Sequence, residues 1–418
     1  MRLAAAAGSL LMSVALALTL LLHAQSAAHA DPTLIRDTVR AVNPSYAADP
    51  WDVIFDGSGN VWVAEPQCDV NVNAVPICSH TSQGSILEYS MSGFNNGTQP
   101  WQILTVPTGY SSPFFLKFDG SGNLWFTEPL TNAIGEYTKN GTWNQYPVKT
   151  ANASPLDLTI DQYGHIWFTE LSVNKVGELD PASGTVSEYS VPTSGSQPYG
   201  ITGPDPTTHS IWFTENNQYV HRIGQLTPNP DGTINGSIQE YLTNTSTNGD
   251  TPHLITYDNN GNIWWTEGYD GEIGKLVINS RSNGTAQGVT EYAVPAPDCP
   301  NPPIQGVDCG SHTSGISIDG NGNVWFDDSR SSRYGMFNPS TQSFNMYIIN
   351  GCVTNNTHPH DGLAVDSNNN VWFTEEFGST LDEALPGSSV NPTPCPSPSP
   401  GSSPTPSPSP SPSPNPQS

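Results

Sequence analysis

Gly59-Asn60-Val61-Trp62-Val63-Ala64-Glu65 sets the pattern for the whole chain, because the same stretch comes back six more times. The copies are GNLWFTE from Gly122 to Glu128, GHIWFTE from Gly164 to Glu170, SIWFTE from Ser210 to Glu215, GNIWWTE from Gly261 to Glu267, GNVWFDD from Gly322 to Asp328 and NVWFTE from Asn370 to Glu375. Trp62, Trp125, Trp167, Trp212, Trp264, Trp325 and Trp372 therefore mark seven units. A unit recurring roughly every forty to sixty residues, with no helical period inside it, signals a β-propeller. The expected fold is all-β, with seven blades.

Each unit divides at its turn residues into four short strands. In the third these are expected at Leu156 to Asp161, His165 to Glu170, Lys175 to Leu179 and Thr185 to Val191. Gly, Asn and Asp fill turns such as Asp119-Gly120-Ser121-Gly122-Asn123, where positive φ is needed. The last unit has room for only three strands, while Thr33 to Val42 reads as an outer strand without a blade. The amino-terminal strand is thus expected to complete the seventh blade, which leaves no open sheet edge.

Three domains follow: a signal peptide over 1–30, the propeller over 31–389 and a Pro/Ser-rich tail over 390–418. Arg2, the apolar run from Leu3 to Leu22 and Ala28-His29-Ala30 read as an export signal, so the mature protein is expected to be secreted. With the signal removed no membrane span is expected, and the tail favours an extended, solvated chain. Twelve basic against 38 acidic residues give a net charge of −26, which makes nucleic acid and anionic membranes poor partners. The expected partner is a small molecule, peptide or sugar, and the expected state a monomer. Six cysteines in an exported chain suggest disulfides, Cys68 with Cys78, Cys299 with Cys309 and Cys352 with Cys395.

A second register precedes the tryptophans. Trp51, Phe114, Leu156, Tyr199, His253, Ser314 and Asp361 begin the innermost strands, so antiparallel pairing brings them to the same rim as the repeated carboxylates. Those carboxylates are expected to be structural, accepting backbone N–H groups of the next blade. Chemistry is expected where the repeat breaks. The breaks are His253, His358-Pro359-His360-Asp361, the doubled acids Asp327-Asp328 and Glu375-Glu376, and His312. Histidine supplies a base near neutral pH, and carboxylates hold a hard cation.

The repeat, with Asn174 to Leu179 (NKVGEL), Gly271 to Leu276 (GEIGKL) and Pro198 to Ile201 (PYGI), resembles the streptogramin B lyase (virginiamycin B lyase) family over about residues 33–385. The resemblance implies an Mg²⁺-dependent elimination that opens a cyclic depsipeptide at its ester without water, a histidine taking the proton α to the carbonyl. It places one glutamate four residues after the last Trp, at Glu376, and histidines where this chain has Ser314 and Asp361.

Two classes of function remain open from sequence. One is a metal-assisted lyase, with His360 or His253 as base, Glu376 in the catalytic group, and Asp361, Glu376 and His358 around Mg²⁺. The other is a noncatalytic extracellular binding propeller, with Trp51, Phe114 and Tyr199 stacking on a sugar or peptide. A lactonase-like hydrolase is a third reading on the same architecture.

Overall fold

Six residues before each repeated tryptophan, or seven in the fourth blade, stands the group that explains the repeat. Asp56, Asp119, Asp161, Asp205, Asp258, Asp319 and Asp366 each accept the indole Nε1–H of their tryptophan, at 2.9–3.3 Å. In the first blade the other Asp56 oxygen takes the turn N–H groups of Ser58 and Asn60. One carboxylate therefore closes the turn between the two inner strands and anchors the ring that fills the blade. The turn also needs a left-handed residue: Gly59 at φ 80°, Gly164 at φ 91°, and Asn369 at φ 65° in the last blade.

The computed structural model describes residues 33–38, 49–67, 69–70, 76–77, 84–91, 94, 102–107, 112–243, 251–296, 310–349, 359–376 and 379–386. The segments 1–30 and 390–418, His358 and all six cysteines lie outside these residues, and with them the expected disulfides.

Seven four-stranded antiparallel sheets succeed one another along the chain. Blade 3 shows the plan, a meander of Pro155–Ile160, Ile166–Glu170, Lys175–Asp180 and Thr185–Ser190. Blade 7 contributes Pro359–Val365, Val371–Glu375 and Thr380–Leu385, and its outer strand is Thr33–Thr38, in register from Thr33↔Leu385 to Thr38↔Thr380. The expected closure of the ring is therefore present.

All seven repeat tryptophans are buried between blades; truncating one such side chain to Ala costs about 3–5 kcal/mol. The neighbouring Phe lies flat on a glycine of the third strand. A Cβ at Gly177 would meet the Phe168 ring at 2.2 Å, so only glycine fits there.

Threonine in the repeat ties adjacent blades. Thr127, Thr169, Thr214 and Thr266 donate to the carbonyls of Leu156, Tyr199, His253 and Ser314 at 2.5–2.6 Å, and Thr374 donates to Trp51 O at 3.1 Å. These bonds fix the innermost strands at their rim ends, where the second register lies.

The repeated carboxylates depart from expectation. Rather than N–H groups of the next blade, they accept donors within their own: Glu65 from Ser85, Glu128 from Gln145, Asp328 from Arg333 and Glu375 from Thr380. Pairing of the second and third strands puts Ser85, Arg333 and Thr380 directly opposite Glu65, Asp328 and Glu375. Their role is structural, but it belongs to the blade and not to the joint between blades.

Candidate functional site

Every innermost strand in blades 3 to 7 bulges at its rim end. In blades 3 to 6 the register slips between Pro155 and Leu158, Pro198 and Ile201, Pro252 and Ile255, and Thr313 and Ile316. In blade 7 the slip runs from Pro359 to Leu363, one residue longer. A bulge re-aims side chains and often sits beside a functional site. Here the extra residue brings both His360 and Asp361 to the rim, and Asp361 takes up φ 59° to do so. A non-glycine residue in that region is held there by its surroundings.

Those surroundings are three donors. Asp361 Oδ2 accepts Tyr199 Oη–H at 2.7 Å, and Oδ1 lies 2.9 Å from His253 Nε2 and accepts the Ser314 hydroxyl. Ser314 Oγ in turn accepts Asp361 N–H at 3.1 Å. Burial by itself would raise the Asp361 carboxyl; the neighbouring His360 and His253, with the hydrogen bonds from His253 and Ser314, outweigh it and hold the group well below the usual carboxylate range. Asp361 is thus a fixed anion at the centre of the site.

His253 has its protonation set by the far side of the ring. Asn216 Nδ2 donates to Pro252 O at 3.0 Å and lies 3.0 Å from His253 Nδ1. The first bond fixes the amide, so Nδ1 must accept, and the proton sits on Nε2 facing Asp361. Stacked on Tyr199 at 4.2 Å, His253 turns its Nε2 to Asp361.

His360 is the more open imidazole, with 16% of its side chain exposed against 8% for His253. Its Nδ1 lies 3.5 Å from Asp361 Oδ2, and Trp51 meets its ring edge-on at 5.5 Å. His312 lies parallel to it at 5.6 Å; Ser329 Oγ stands 2.9 Å from its Nδ1, and Asp328 accepts its backbone N–H. Tyr269, half exposed, packs on His312 at 4.9 Å.

The sequence-derived residues fare unequally. His253, His360 and Asp361 converge, with donor atoms all within 4.8 Å of one another. Glu376 is buried in the turn after Val371–Glu375 and does not join that group. Trp51 and Phe114 are 1% and 0% exposed and pack edge to face at 4.8 Å, while Tyr199 is 7% exposed. These rings form the packed floor of the site and offer no open face for stacking. Asn216 and Tyr269 went unrecognised in the sequence, since neither interrupts the repeat. His312 was visible as a break, but its meeting with His360 was not.

The match to a family model decides the ancestry: residues 110–383, well over half the chain, match the virginiamycin B lyase family. The chain belongs to that family. Among solved structures, this family member is similar to selenomethionine-substituted virginiamycin B lyase from Staphylococcus aureus, at 22% identity over 84% of this chain and 99% of that one, TM-score 0.65. A streptogramin B lyase structure gives 24% identity over 85% and 97%, TM-score 0.65. A catalytically inactive His-to-Ala variant of the Staphylococcus aureus enzyme, with quinupristin, gives 22% over 84% and 99%, TM-score 0.64. No curated protein sequence matches. At these identities the solved structures establish the shared fold.

The family resemblance implies Mg²⁺, and the donor set tests that. Mg²⁺ takes near-octahedral oxygen ligands at about 2.0–2.1 Å. The converging donors are two imidazoles and one carboxylate, His253 Nε2 carries a proton, and both Asp361 oxygens already accept. This set does not fit Mg²⁺. Of the other expected ligands, Glu376 stands apart and His358 lies outside the described residues.

Proposed function

We propose that the rim site opens a cyclic ester, a depsipeptide or close analogue, by elimination, with His360 as the base. The observation that carries the reading is the lengthened bulge of blade 7, which sets a partly exposed imidazole against a buried, ionised carboxylate. In the proposed reaction a proton on the carbon α to a carbonyl moves to His360. The electron pair left behind forms a C=C bond to the β carbon, whose bond to the ester oxygen breaks. The leaving group departs as a carboxylate and no water is consumed. Asp361 orients and stabilises the imidazolium that forms, as a buried carboxylate does for a catalytic histidine. His312, parallel to His360, is placed to supply a proton where oxygen charge develops.

Export is part of the same proposal, supported by the signal-like segment from Arg2 to Ala30. A second reading, noncatalytic ligand binding, is favoured by one observation: the slots where the family resemblance places histidines hold Ser314 and Asp361.

Incubating the purified protein with a streptogramin B separates these readings by mass spectrometry. Elimination yields a linear product of unchanged mass with a new C=C bond. Hydrolysis of the lactonase kind adds one water. Saturable binding with no product would replace the lyase reading with the binding one.

A further inference from the structure

The doubled acid of blade 6 is a break in the repeat that the proposed reaction does not use. Where blades 2, 3, 4, 5 and 7 place the tying threonine, blade 6 places Asp327 and blade 1 places Ala64. Each of those threonines bonds to the carbonyl of a second-register residue in the next blade. For blade 6 that residue is Asp361.

Two glycines locate the atoms. A Cβ on Gly362 would stand 2.3 Å from Thr374 Oγ1 and 2.4 Å from Trp51 O, the donor and acceptor that tie blade 7 to blade 1. A Cβ on Gly315, the matching residue of blade 6, would stand 2.4 Å from Asp327 Oδ2 and 3.0 Å from Asp361 O. Asp327 Oδ2 thus takes the place of the threonine hydroxyl, beside the Asp361 carbonyl. The other oxygen, Oδ1, accepts Gly315 N–H at 3.0 Å, as Thr214 Oγ1 accepts Gly200 N–H at 2.9 Å. Oδ2 is buried and receives no hydrogen bond among the described residues.

An ionised Oδ2 would set a buried negative charge against a carbonyl oxygen, whereas a protonated one is a donor to it. The groups around it favour the proton. Asp361 lies across the joint, Asp328 is next along the strand with Arg333 donating to it, and Tyr334 stands opposite on the third strand. Burial first, then Asp361 and Asp328, raise the Asp327 carboxyl well above its ordinary range, against the N–H groups of Gly315 and Ser314.

We infer that Asp327 is a neutral acid whose Oδ2–H donates to Asp361 O, tying blade 6 to blade 7 and positioning the residue at the centre of the rim site. The bond bears on the peptide of the bulge residue that holds φ 59°. A threonine would donate equally there; the acid makes this one tie depend on pH, intact while Asp327 keeps its proton and broken when it ionises. The inference concerns the build of the rim cluster and holds whether or not that cluster is catalytic.

The test compares the wild type with Asp327→Thr, which restores the repeat, by urea denaturation across pH. An acid that is neutral in the folded chain and ionised in the unfolded one loses stability as pH rises from its ordinary value to its folded value. Over that span the wild-type folding equilibrium constant, relative to Asp327→Thr, is expected to fall about tenfold per pH unit, the other titrating groups being common to both. A ratio that does not change with pH overturns the inference. Should Asp327→Thr fail to fold, Asp327→Asn, neutral at every pH, takes its place. Positioning is read from the imidazole nitrogen NMR resonances of His253 and His360. Asp327→Ala, the residue that blade 1 carries at this place, is expected to shift them, and Asp327→Thr to leave them as in the wild type. Resonances unmoved in Asp327→Ala overturn the positioning role.

Discussion

Blades 3 and 7 are built from nearly the same words, His165-Ile166-Trp167-Phe168-Thr169-Glu170 and Asn370-Val371-Trp372-Phe373-Thr374-Glu375, yet only blade 7 carries the proposed base. Both anchor their tryptophan on an aspartate at the base, Asp161 at 2.9 Å and Asp366 at 3.3 Å. At the rim they part. Blade 3 places Leu156 and a carboxylate clamped by backbone, whereas blade 7, with one more residue in its bulge, places His360 and Asp361. The repeat is thus a frame solved once and copied, and the proposed site lies where a single residue alters the path of one strand.

The sharpest way to break this comparison is His360→Ala. Loss of a general base lowers rate by about 10²–10⁴-fold, so kcat/KM for ring opening should fall by that order while Tm moves by no more than a few degrees. A variant as active as the wild type would show that the longer bulge is a structural accident.

The shared base of the blades predicts equal costs in both. Asp161→Ala and Asp366→Ala each leave a buried indole N–H and turn N–H groups without their acceptor, a loss of about 1–3 kcal/mol. Urea denaturation should give similar values for the two, with ring opening retained. A cost confined to blade 7 would mean that its base also serves the site.

The carboxylates shared by all blades set the response to pH. Burial raises Glu65 and Glu170 to about 8 and Glu215 to about 9, from an ordinary value of 4.5. Between the unfolded and folded values the folded chain binds more protons. The stability these groups contribute is full below about 4.5 and is lost as pH rises through 8 to 9. Asp361 runs the other way: its depressed value contributes stability above the ordinary carboxylate range, lost only as pH falls through that depressed value. Tm should be higher at pH 5 than at pH 9; the reverse order would show these acids to be ionised in the folded protein.

Much of this was legible in the sequence because a repeat testifies seven times. Tryptophan spacing gave the blade count, and the resemblance of Leu34-Ile35-Arg36-Asp37 to an outer strand gave the closure. The spacing of eleven residues to Trp372 already placed Asp361 in the slot with His360 before it. What stayed hidden depends on partners from distant blades. Tyr199 reaches Asp361 across 162 positions and His253 across 108, and the amide fixing the His253 tautomer comes from blade 4. No local pattern announces which lone pair is already taken. Trp51 and Phe114 read as a stacking surface because their alternation is visible in sequence while the packing between blades is not.

The smallest expected effect sharpens the comparison from the other side, by making blade 3 more like its neighbours. Asn60, Asn123, Asn262, Asn323 and Asn370 each donate to the turn aspartate of their own blade at 2.8–2.9 Å. Blade 3 has His165 at that place, with Nδ1 3.4 Å from Asp161 Oδ2 and 3.8 Å from Glu178 Oε1, and without a hydrogen bond on that atom. His165→Asn should add the missing bond, worth about 0.5–1.5 kcal/mol, less the packing of the imidazole beside Tyr163. A net gain of about 0.5 kcal/mol, read as a higher urea midpoint with ring opening unchanged, would show that the base of a blade can be improved without touching the rim. A loss would mean that His165 works through Glu178, and that blade 3 too has given one repeated position to a purpose of its own.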